Sequence, residues 1–166
     1  RFIIFNGNYN EITVSSSEDT ITAQAGCTML RLSELALQFS YSGLEIFYDI
    51  PSSLGGAVVM NAGASGEEIR DLIVEVEYLD LTDMKIKLIS KEDINFQYRN
   101  SFFQKNKDKI VLKTTMKLNK GSEKEIKSKM DRIRDQRWAK QPRDYPNAGS
   151  VFKRPPGYYV GKLTQD

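Results

Sequence analysis

No histidine occurs among the 166 residues. That absence removes the commonest general base and the commonest zinc ligand together, so a histidine-based hydrolase triad is excluded and no metal site is expected. Any chemistry must use carboxylates, Lys, Arg, Tyr, Ser or a bound cofactor. There is one cysteine, Cys27, which rules out an intrachain disulfide and fits a small buried thiol in a reducing cytoplasm. No apolar run is long enough to span a bilayer, and Arg1 to Phe5 has no signal-peptide hydrophobic region, so a cytoplasmic chain without a membrane partner is expected. Charge of one sign is scarce too. The 24 basic and 22 acidic residues leave a net charge of +2, which gives no reason to expect nucleic acid. The basic, aromatic stretch from Lys120 to Lys162 is itself diluted by Glu123, Glu125, Asp131, Asp135 and Asp144. The chain also lacks an initiator Met, opens inside a strand-like pattern and closes just after a motif-rich segment, so both ends are expected to be cuts.

What is present is 40% hydrophobic residues, enough for one domain core or parts of two. Phe2–Phe5, Glu11–Val14 and Thr20–Ala23 are short β-rich pieces separated by turn residues, which predicts successive antiparallel strands. The period then changes. Thr28 can cap a helix with Leu32, Leu35, Ala36 and Phe39 on one face, ending before Ser42-Gly43. Beyond a small-residue segment, Leu72, Val74, Val76 and Tyr78 alternate with Glu75 and Glu77 as a half-buried strand would, and Lys85–Ile89 can pair with it across Thr82-Asp83. Ile110, Leu112, Thr114, Met116 and Leu118 give a further alternating strand. Ser122 and Glu125 form a capping box for a charged helix with one apolar stripe, Ile126, Met130 and Ile133, that should stop before Pro142. Strands and helices without regular βαβ alternation predict an α+β fold.

Three segments can carry chemistry. The four glycines and three alanines of Ile50–Gly66 allow main-chain N–H groups to approach a phosphate or a flat ring, although composition alone favours tight turns and close packing. In Phe96–Ser101, Arg99 can hold a carboxylate or an enolate oxygen through paired donors with Tyr98 beside it; an exposed Arg that merely solvates is the alternative. In Lys140–Gly157, Ser150 follows a glycine between Lys140 and the pair Lys153-Arg154, a positive setting that attracts anions; a Pro-bounded basic loop is the alternative.

In this order, Ser42-Gly-Leu-Glu-Ile46, Ile50-Pro-Ser-Ser-Leu-Gly-Gly-Ala57, Met60-Asn-Ala-Gly-Ala64, Tyr98-Arg-Asn-Ser101, Gly149-Ser-Val-Phe-Lys-Arg-Pro-Pro-Gly157 and Gly161-Lys-Leu163 resemble the successive signatures of the UDP-N-acetylenolpyruvoylglucosamine reductase (MurB) family, in its shorter subtype. The resemblance implies part of an FAD-binding domain of the vanillyl-alcohol oxidase (PCMH) type over residues 1–119, then the beginning of a substrate-binding domain over 120–166. It implies FAD and NADPH as cofactors, a UDP-sugar substrate, and a monomer. It implies a catalytic role for Arg99 and Ser150, flavin contacts at Ile50, Pro51, Gly55, Gly56, Asn61, Ala62 and Gly63, and substrate contacts at Tyr98, Lys140, Arg154 and Lys162. The family's upstream glycine-rich segment and downstream catalytic glutamate have no counterpart here, so the chain alone is expected to be inactive, and a degenerate non-catalytic flavoprotein fragment is the competing reading. Asp49 and Ser53 stand where the family usually has glycine, and Ser65 where it has tyrosine.

Overall fold

A computed structural model describes residues 6–141, 152–155 and 157. Residues 1–134 form one compact unit and residues 135–166 another. The expected strand at Phe2–Phe5 lies outside the described residues.

The first unit is built on a five-stranded antiparallel sheet. Its strands are β1 (Ile12–Ser15), β2 (Thr20–Gln24), β6 (Ile73–Asp80), β7 (Lys85–Ser90) and β8 (Lys109–Lys117), in the spatial order β1-β2-β8-β6-β7. Helix α1 (Met29–Gln38) follows β2, and Thr28 caps it by accepting the Arg31 amide on its side-chain oxygen. Leu32 and Ala36 are buried as the helical spacing predicts, but Phe39 falls at the C-cap, stays exposed and stacks on Tyr41. Between α1 and β6 lie β3 (Tyr41–Ser42), α2 (Leu54–Met60), β4 (Gly63–Ala64) and β5 (Glu67–Glu68). After β7 come α3 (Phe102–Lys105), then β9 (Asn119–Lys120) beyond β8, and α4 (Glu123–Lys140). Strand β9 pairs with β3, and β4 with β5.

The alternation expected along β6 and β8 is broken twice. Ile73 pairs with Met116 but Glu75 with Thr115, leaving Val74 as an extra residue; Glu77 pairs with Lys113 but Tyr78 with Val111, leaving Leu112 extra. Each extra residue is a bulge that reverses the inside and outside positions beyond it. Hence Ile73 and Val111 are buried, whereas Val74 is exposed and Leu112 only partly covered. The bulged carbonyls are used: Leu112 accepts the Ala25 amide at 2.7 Å and Val74 that of Lys91 at 3.0 Å.

The core lies between this sheet and the helices, with Leu32, Ile46, Phe47, Leu54, Ile94 and Met116 fully buried; each such side chain contributes roughly 1.5–3 kcal/mol. Tyr78 meets Phe102 and Phe103 edge-on, at 6.1 and 5.7 Å between ring centroids, which fixes α3 and the loop before it against β6. Two residues further on, at the C-terminal end of β6, Asp80 receives the ammonium groups of Lys109 and Lys87, both at 2.7 Å, and the Thr82 hydroxyl. These bonds hold its carboxyl far below the usual carboxylate range. Ile126, Met130 and Ile133 are the buried residues of α4, as the stripe predicts. In the second unit, α4 ends at Lys140, and Phe152, Lys153 and Arg154 are exposed.

Candidate functional site

Helix α2 carries the small-residue segment, and its glycines do different things. Gly55 is buried, and a Cβ there would lie 2.9 Å from the Ala25 Cβ. The close-packing explanation therefore applies at Gly55. The first amides of α2 are also turned inward, that of Leu54 donating to Cys27 O at 2.8 Å and that of Gly55 to Ala25 O at 2.9 Å. Ser53 caps the helix by accepting the Gly56 amide at 3.3 Å. With those three amides committed, α2 offers no phosphate-binding terminus; what it exposes is the bare backbone of Gly56. Ile50 is half-buried and Pro51 exposed, in the approach to that helix.

Asn61 ends α2 in the left-handed region, φ 44° and ψ 59°, a conformation that Asn tolerates better than most residues. Its buried side chain donates to Glu68 Oε2 and to Gln97 O, both at 3.0 Å. Tyr98 and Arg99 occupy the tip of a tight turn closed by reciprocal backbone bonds between Gln97 and Asn100. Arg99 has φ 52°, at a place where turns with positive φ usually take Gly or Asn. What holds it there is its own guanidinium: Nη1 donates to Asn61 O at 3.0 Å and Nη2 to Gly63 O at 2.5 Å. Ser101 adds a third tie, its hydroxyl donating to Val59 O at 2.7 Å. Among the described residues seven non-glycine residues have positive φ; Asn61 and Arg99 belong to this cluster, and Ser65 and Asn95 lie within a few residues of it along the chain. Strain concentrated in one place, and held by side-chain bonds, is a common property of functional sites.

The structure thus joins two of the three sequence segments. Gly56, Ala62 and Gly63 lie on the α2–β4 backbone, and Arg99 is bonded to that backbone at Asn61 and Gly63. Tyr98 is 45% exposed, with the Arg99 guanidinium carbon 5.2 Å from its ring centroid. Two of the five donors of Arg99 hold the loop. Lys140 and Arg154 are exposed in the second unit, while Ser150 and Lys162 lie outside the described residues. Sequence reasoning missed Ser101 and Glu68. Ser101 was legible only as part of a motif, and Glu68, which also pairs with Arg70 at 2.8 Å, carries no local signal. Cys27 is buried, and burial pushes its thiol pKa up, so it is no nucleophile. Among the described residues no cluster of Cys, Asp and Glu is arranged to hold a metal, and no helix is long and apolar enough to cross a membrane.

A family model described as an FAD binding domain matches residues 2–87. The chain therefore belongs to the FAD-binding domain family, in an α+β fold of the PCMH type. The "alkyldihydroxyacetonephosphate synthase" structure shares that fold, with a TM-score of 0.50 at 17% identity, over 68% of this chain and 21% of the other. More specific likenesses follow. The chain is 46% identical over 146 residues to the UDP-N-acetylenolpyruvoylglucosamine reductase of Caldanaerobacter subterraneus subsp. tengcongensis, covering 88% of this chain and 48% of that protein. It is 41% identical over 174 residues to that of Limosilactobacillus reuteri, covering 100% and 58%. The crystal structure of the UDP-N-acetylenolpyruvylglucosamine reductase from Thermus caldophilus superposes with a TM-score of 0.75 at 33% identity, over 85% of this chain and 51% of the other. Within the FAD-binding domain family the chain is thus a member of the UDP-N-acetylenolpyruvoylglucosamine reductases, and it spans about half the length of the curated relatives it matches.

Proposed function

We propose that the protein to which this chain belongs is an NADPH-dependent flavoenzyme that reduces UDP-N-acetylglucosamine enolpyruvate to UDP-N-acetylmuramate. The reading takes it to act as a cytoplasmic monomer supplying peptidoglycan precursor synthesis. The observation that carries it is the clamp between Arg99 and the carbonyls of Asn61 and Gly63, which sets a permanent cation against a backbone that bears no bulky side chains. Such a surface fits a flat ring: Gly56 is exposed, and a Cβ built on it would touch only Ser53 Oγ, at 3.4 Å. FAD, when bound, supplies the hydride chemistry between NADPH and the enolpyruvyl group.

The chain's own residues then have separable tasks. The α2–β4 backbone, with Gly56, Asn61, Ala62 and Gly63, supports the flavin, approached by Ile50 and Pro51; Gly55 contributes from below by letting α2 pack on Ala25. Hydride addition to one vinyl carbon leaves negative charge on the carboxylate-bearing side, and the Arg99 guanidinium stabilises it. Ser150 gives a proton to the other vinyl carbon, the one that bears the carboxylate. Tyr98, Lys140, Arg154 and Lys162 bind the anionic substrate. The domain limits belong to the same proposal, with 1–119 in the FAD-binding domain and 120–166 opening the substrate domain.

The test is product formation by the complete polypeptide. Incubation with NADPH and the enolpyruvyl nucleotide should yield UDP-N-acetylmuramate with one NADPH consumed per product. NADPH consumption without that product would refute the substrate assignment.

A further inference from the structure

The Ser42–Ile46 motif contains a carboxylate that the chemistry above does not use. Glu45 is 2% exposed. Burial by itself pushes its carboxyl pKa up. The Ser42 hydroxyl at 2.6 Å, its own backbone amide, the Gly43 amide at 2.9 Å and the Lys129 ammonium at 3.5 Å outweigh that and hold it below the ordinary glutamate range. Lys129 lies in the first half of α4. The same ammonium is 3.0 Å from Glu67 of β5.

One side chain therefore joins three places in the fold. Glu67 pairs with Ala64 in the β4–β5 hairpin, and the next residue of β4, Gly63, gives its carbonyl to Arg99. On its solvent side α4 is charged, and its buried contacts are confined to Ile126, Met130 and Ile133. A buried carboxylate with a partner on the helix adds direction to an apolar stripe that is otherwise free to slide.

We propose that Lys129 is a positioning residue: it docks α4 on the buried Glu45 and, through Glu67, holds the β4–β5 hairpin in the form that presents Arg99. Docking of the helix and placement of Arg99 then rise and fall together. The catalytic consequence rests on the role given to Arg99 above; the mechanical coupling does not. A lysine that only satisfies two carboxylates affects α4 and nothing beyond it.

Hydrogen exchange on the complete FAD-loaded polypeptide separates these. Lys129→Met should raise exchange about tenfold in residues 123–130 and also in residues 63–69, and Lys129→Arg should keep both near the starting level. In a Glu67→Gln background, adding Lys129→Met should still loosen α4 but no longer change the hairpin. Reoxidation of the flavin by the enolpyruvyl substrate should slow in step with hairpin exchange, while reduction by NADPH stays unchanged. Loosening of α4 alone, or failure of Lys129→Arg to preserve the hairpin, would overturn the proposal. Should Lys129→Met not fold, Glu67→Gln alone decides, because it spares the Glu45–Lys129 pair: faster hairpin exchange with unchanged α4 supports the coupling, and unchanged hairpin exchange refutes it. Absence of reductase turnover in every form, the unaltered protein included, would refute the role of Arg99 and leave the exchange pattern to judge the coupling.

Discussion

Gly63 has no room for a side chain. A Cβ on it would overlap the Glu67 carbonyl oxygen and lie 2.9 Å from the Glu68 Cα, so Gly63→Ala must open the β4–β5 hairpin. Overpacking of this kind costs roughly 1–3 kcal/mol, and urea denaturation should show that loss. The variant should also move Arg99, whose guanidinium is bonded to the Gly63 carbonyl. Thr114 presents the reverse case. It is fully buried on β8, and its hydroxyl has no hydrogen-bond partner among the described residues. An unmet buried donor is costly, so Thr114→Val, which keeps the shape and removes the hydroxyl, should stabilise by about 1 kcal/mol. The urea midpoint should rise with the slope of the transition unchanged. Neither outcome is legible from sequence, because the atoms that fill or fail to fill these spaces come from distant or differently placed residues.

The β4–β5 hairpin, the Ser42-Gly43 turn and α4 meet through carboxylates, which makes their attachment depend on pH. The Glu45 carboxyl is more acidic in the folded protein than its ordinary value of 4.5. Its contribution to stability is therefore complete above that value and is lost as pH falls through the lower, folded value. Asp80, also held low, adds loss in the same direction, from an ordinary value of 3.8 downward. Thermal melts between pH 7 and pH 2 should show the protein weakening most below about pH 4.5. Glu45→Gln should be less stable at pH 7 and decline less steeply on acidification; a parallel decline would mean that Glu45 is not held as an anion. The elements themselves were largely legible. Thr28 before an apolar spacing of three and four residues marks α1, and the stripe Ile126, Met130, Ile133 marks α4, because both signals are local. The bulges at Val74 and Leu112 were not, since a bulge is fixed by the pairing of residues more than thirty positions apart and not by either strand alone.

At the scale of the whole molecule, motif order pointed to the family, while the joining of the motifs needed coordinates. Tyr98-Arg99 and the Asn61–Gly63 backbone are separated by more than thirty residues, and nothing in either announces that Arg99 spends two of its donors on those carbonyls. Ser150 and Lys162 lie outside the described residues, so their part in the account rests on the resemblance of the Gly149–Gly157 motif and of Gly161-Lys-Leu163. The central claim is that Arg99 stabilises charge on the substrate and does more than clamp the loop. Rapid mixing of the complete Arg99→Met protein, with flavin absorbance followed separately through reduction by NADPH and reoxidation by the enolpyruvyl nucleotide, tests it most directly. The account predicts near-normal reduction and reoxidation slowed by about 10²- to 10³-fold, the loss typical of one preorganised charge-stabilising group, with partial recovery in Arg99→Lys. Equal slowing of both half-reactions, or reoxidation as fast as in the unaltered protein, would contradict it.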